Sequence, residues 1–123
     1  MSEVYDAMAA VLSALPDDEF VINEPSLTPA IPPGKHGVMY YVAQATPAVL
    51  DRFRDVTWDL ALISPITSMQ AAGEPLFDAL MALLDVLEDD QTVRWTSAAL
   101  EPFGDTMWCY SLQITMYTEK TEE

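Results

Sequence analysis

Residues 74–90 read EPLFDALMALLDVLEDD, and their spacing decides the local conformation with little help from the rest of the chain. Leu76, Leu80, Leu83 and Leu87 recur at i, i+4, i+7 and i+11, with Phe77 and Leu84 widening the stripe. Asp78, Ala82, Asp85 and Asp89 fall on the opposite side, so the pattern predicts a central amphipathic helix with one buried and one wet face. Pro75 suits the first turn of a helix, where its missing N–H is not needed, and Gly73 or Glu74 can supply the cap or a favourable negative charge. The helix is therefore expected to begin close to Pro75. Its other end carries Glu88, Asp89 and Asp90, where the helix dipole prefers cations. Burying six large apolar side chains contributes about 9 to 18 kcal/mol before entropy is subtracted, which outweighs that penalty.

The totals set the class. A chain of 123 residues, half of them apolar, is long enough to bury one core without a metal or a disulfide. Twenty acidic residues against five basic ones give a formal net charge of -15, which repels polyphosphate and disfavours anionic membrane surfaces. The single cysteine, Cys109, cannot form an intramolecular disulfide, and the N-terminus lacks a basic-then-apolar signal. Synthesis and folding inside a cell are expected. Asp78 and Asp85 interrupt the longest apolar run, so no membrane span is expected.

Outward from the central helix, residues 3–15 predict a shorter helix with Val4, Met8, Val11, Leu12 and Leu15 on one side, stopped by Pro16. After the acidic turn Asp17, Asp18, Glu19, the run Phe20–Ile22 predicts a short edge strand. Residues 25–34 hold Pro25, Pro29, Pro32 and Pro33 and predict a semi-extended loop, either a mobile surface loop or one long enough to carry an interaction. The stretches 37–45 and 57–63 predict antiparallel neighbouring strands, with Trp58, Leu60 and Leu62 on one face. Residues 92–100 and 106–118 predict a long hairpin turning through Glu101–Asp105, and 119–123 a frayed acidic tail. Helices and strands in this order predict one α+β domain over residues 1–118. Its sheet is mainly antiparallel, with four or five strands, and both helices lie on one face.

Candidate chemistry is sparse. His36 stands alone without a second histidine or a cysteine cluster to complete a metal site, and as a base it lacks a placed partner. Cys109 sits mid-strand among aromatics with no basic neighbour, which predicts a half-buried structural thiol. The acidic triplets 17–19 and 88–90 lack the alternating oxygen spacing and glycine of a calcium loop, and four glycines form no phosphate loop. No enzyme activity, cofactor or metal is expected. Arg52 and Arg54 stand out as two of only five basic residues. They either offset the local acidic field or pair with an acidic face of another subunit.

The short first helix, the segment EPLFDALMALLDVLEDD and the late hairpin VRWTSAALEPFGDTMWCYSLQITMYT together resemble the tail-terminator proteins of long-tailed bacteriophages. The resemblance covers nearly the whole chain and rests on topology and a helix followed by an aromatic-rich hairpin, with no catalytic motif. It implies a homohexameric ring in the virion that caps the tail tube, ends its polymerisation and meets the head-completion or connector protein. DNA would pass through the lumen without specific binding, and an acidic wall suits that passage. Candidate subunit contacts are Arg52, Arg54, Lys35 and Arg94, with Pro29, Ile31, Pro32 and Pro33 of the proline-rich loop. Two other readings fit the charge: a monomeric acidic inhibitor or immunity-type protein that blocks a basic site, and another neck or minor tail protein.

Overall fold

The computed structural model describes residues 3–23, 34–47, 53–65, 69–103 and 107–119. Among them, two helices and five strands run in the order α1 (Glu3–Leu12), β1 (Phe20–Asn23), β2 (His36–Pro47), β3 (Phe53–Ile63), α2 (Met69–Asp89), β4 (Val93–Phe103) and β5 (Met107–Glu119). The strands form one mixed sheet in the order β1-β2-β3-β5-β4. β1 pairs with β2 in parallel, and the other three pairings are antiparallel. The class is α+β, with the element order expected from the periodicities. At the start of the parallel pair His36 N–H donates to Glu19 C=O at 2.9 Å.

α2 departs from the expected start. It begins at Met69 and runs through Gly73 and Pro75, so the proline lies inside the helix and the Gly73 or Glu74 cap is not used. The physical reason is packing. Ala72, four residues before Leu76, is fully buried and extends the apolar stripe one turn upstream. The proline is tolerated because both it and Ala71, whose carbonyl loses its i+4 donor, face solvent. Leu76, Leu80, Leu83, Leu84 and Leu87 are buried as the spacing requires. Phe77 is not: it is 48% exposed, its ring meeting that of Tyr110 in β5 at 6.5 Å between centroids.

The acidic end of α2 is built into the turn that follows. Asp90 Oδ1 accepts from Thr92 N–H at 2.9 Å and Thr92 Oγ1 at 2.6 Å, fixing the entry to β4. Glu88 Oε2 accepts from Trp95 Nε1 at 2.9 Å. Two of the three carboxylates thus hold specific donors, which offsets their unfavourable place on the dipole.

One core gathers Met8 and Leu12 of α1, the α2 leucines, and Val38, Tyr40, Trp58, Leu60, Leu62, Leu112, Ile114 and Met116 from one face of the sheet. Tyr5, absent from the expected stripe of α1, packs edge-on against Trp58 at 4.9 Å between ring centroids. Its hydroxyl accepts from Val42 N–H at 3.1 Å, beside the register shift between Val42 and Gln44. A second shift between Trp95 and Ser97 in β4 explains why Val93 and Trp95 share a face with Ala98 and Leu100 rather than with Ser97 and Ala99.

Strand ends extend past the expected bounds. Pro47 pairs with Arg54, so β2 and β3 together reach into the segment read as a connection over residues 46–56. Glu101, Pro102 and Phe103, expected in the turn, are paired with Cys109, Trp108 and Met107. Pro102 is compatible with pairing because β4 is an edge strand. Glu119 is the last residue of β5. The turn residues Gly104 and Asp105, the tail after Glu119 and the loop residues before Gly34 lie outside the described residues.

Candidate functional site

Of the eight residues singled out for subunit contact, Arg52, Pro29, Ile31, Pro32 and Pro33 lie outside the described residues. Arg54 falls in β3, its backbone in register with Thr118 and Pro47. Lys35 stands directly before β2, half-buried, and lines a groove of about 400 Å³ with Leu12, Leu15, Phe20, Val21 and Ile22. Arg94 is exposed near the start of β4, in a cleft with Asp55, Glu88, Asp90 and Tyr117. Lys35 and Arg94 therefore belong to opposite edges of the sheet and cannot act together within one chain.

The surfaces that stand out are the two sheet edges themselves. At the β1 edge, Ile22 is 41% exposed at the mouth of the Lys35 groove. At the β4 edge, Leu100 is 44% exposed and pairs across the strand with Tyr110. Tyr110 also meets the ring of Phe77 at 6.5 Å between centroids, and Met81, one turn along α2 from Phe77, is 39% exposed. Large apolar side chains in water on an edge strand mark an association surface more specifically than either feature alone. The sequence reading placed an edge strand at Phe20–Ile22 but assigned Phe77 to the core. The signal that could have found the second edge was the exclusion of Phe77 from the 76-80-83-87 stripe.

The face of the sheet turned away from the helices carries a smaller hollow of about 210 Å³, lined by Met39, Tyr41, Asp59, Ala61, Glu101, Cys109 and Ser111. The Asp59 carboxylate, partial burial and a hydrogen bond to that carboxylate raise Tyr41 above the ordinary tyrosine range. Burial, and then the charge of Glu101, push the Cys109 thiol up to about 11. Cys109 is buried more deeply than expected and stays protonated at neutral pH, the opposite of an activated nucleophile. His36 opens β2, with Nε2 buried and without a hydrogen-bond partner among the described residues. Burial pushes it below the ordinary histidine value, with Glu19 pulling the other way, so it is neutral at pH 7. Among the described residues no group of three or more His, Cys, Asp or Glu side chains is arranged to hold a metal ion. Nor is any helix there long and apolar enough to cross a membrane.

No family model matches the sequence, and no curated protein matches it. The functional reading therefore stands on the surfaces and on the resemblance carried by the helix and hairpin.

Proposed function

We propose that this chain is a structural protein of a long-tailed phage, a tail terminator that assembles in the host cytoplasm into a homohexameric ring. The ring caps the tail tube, ends its polymerisation and receives the head-completion or connector protein, with no catalytic step. The observation that carries this reading is a sheet whose outer strands, β1 and β4, have no further strand partner among the described residues, with a large apolar side chain exposed on each. Such a sheet has two different sticky ends, and a contact between unlike surfaces propagates until rotation closes it into a ring. The acidic composition supports a DNA conduit. Asp55, Asp59 and Glu101 all project from the sheet face opposite the helices, a suitable lumen wall because phosphate is repelled from it.

The test is tube capping. Purified chain added to polymerising tail-tube protein is expected to stop growth and to appear at one tube end by electron microscopy. Tubes that lengthen unchecked with no protein at their ends would refute the terminator role. Should the chain instead bind a basic protein as a strict monomer, the acidic inhibitor reading takes its place.

A further inference from the structure

The strand registers place Ile22, Val38, Leu62, Tyr110 and Leu100 in one unbroken row across the sheet. Ile22 and Leu100 are the two ends of that row. Both are large apolar residues more than two-fifths exposed. Both lie on the face covered by the helices, because the row passes through the core residues Val38 and Leu62 and neighbours in register share a face.

We infer that β1 of one copy adds to the β4 edge of a second copy, with Ile22 set directly opposite the neighbouring copy's Leu100. The inference rests on the ring reading and names its contact. Two features lead to it. First, β1 runs parallel to β2, β3 is antiparallel to β2, β5 to β3 and β4 to β5, so β4 runs opposite to β1. A copy carried sideways without inversion thus presents an antiparallel partner, the geometry with straight, perpendicular hydrogen bonds. Second, continuing the row in register joins two exposed apolar side chains on the helix side, where the groove beside Ile22 can receive the Leu100 flank. The contact joins unlike surfaces, and each copy keeps one free edge of each kind until the ring closes.

The test uses the full chain with single cysteines introduced at the two ends of the row, Ile22→Cys and Leu100→Cys. Native Cys109, buried and protonated, serves as the unreactive control. Each variant is checked by circular dichroism and then treated with a short bismaleimide, alone and in an equimolar mixture. The expected result is a covalent dimer in the mixture and none in either variant alone, while the double variant gives a ladder of higher species. A covalent dimer of Leu100→Cys alone overturns the inference, because it shows β4 meeting β4. Absence of a dimer in the mixture also overturns it. If the same solution scatters light as an oligomer, only this contact fails and the ring reading stands. If it scatters as a monomer, both fail.

Discussion

Pro75→Ala separates two accounts of α2 by the sign of its effect. In the structure Pro75 is the seventh residue of a helix that begins at Met69, so the carbonyl of Ala71 has no N–H to accept from and the ring crowds that carbonyl. Proline in a helix interior costs about 3 kcal/mol relative to alanine. Part of that is already recovered, because Pro75 and Ala71 are exposed and water can satisfy the carbonyl. Proline also restricts the unfolded chain, which returns about 0.4–1 kcal/mol. The net expectation is that Pro75→Ala stabilises the protein by about 1–2 kcal/mol, or roughly 4–8 °C in Tm. Urea unfolding followed by far-UV circular dichroism measures it, with m unchanged and the midpoint raised. Amide hydrogen exchange at Gly73 and Glu74 adds a local readout, since a helix from Met69 gives both an i−4 acceptor. Were the helix to start at Pro75, the proline would occupy its favoured first-turn place. Substitution would then be neutral or destabilising, and Gly73 and Glu74 would exchange freely; either result would refute the account.

Other expectations follow from the core and the titrating groups. Leu83→Ala, at a fully buried position of α2, is expected to cost about 2–5 kcal/mol by denaturant titration. His36, the only histidine, should titrate in a proton NMR experiment with a midpoint below 6.5. Because its folded value is depressed, its contribution to stability is present above pH 6.5 and is lost as pH falls through the folded value. Cys109, raised from 9.0 to about 11, should react with a thiol reagent at pH 8 far more slowly in the folded protein than in urea. Its contribution runs the other way, complete below pH 9 and lost as pH rises toward 11.

Much of the fold was legible because the residues obey simple periods. The four leucines of α2 and the alternation around Trp58 and around Leu112 each place one face in the core, and the element order follows. What escaped the sequence reading depended on neighbours distant in the chain. A proline is read locally as a helix start, yet burial of Ala72 draws the helix past it. Pro47 and Pro102 look like turn residues, yet hairpin partners keep them paired. Phe77 has the composition of a core residue, yet it is 48% exposed. The cations were legible as scarce, but not that Lys35 and Arg94 stand at opposite edges. The row that ends in Ile22 and Leu100 spans four strand pairings and cannot be seen in any single segment.

The central claim is that the chain assembles with itself, and absolute mass in solution tests it most directly. Each copy carries a net charge of -15, so assembly through an apolar edge contact should strengthen as salt screens the repulsion. Light scattering or native mass spectrometry at low and then moderate salt is expected to show a species of six 13.6 kDa chains that becomes more abundant as salt increases. A strict monomer at every salt and protein concentration would contradict the account.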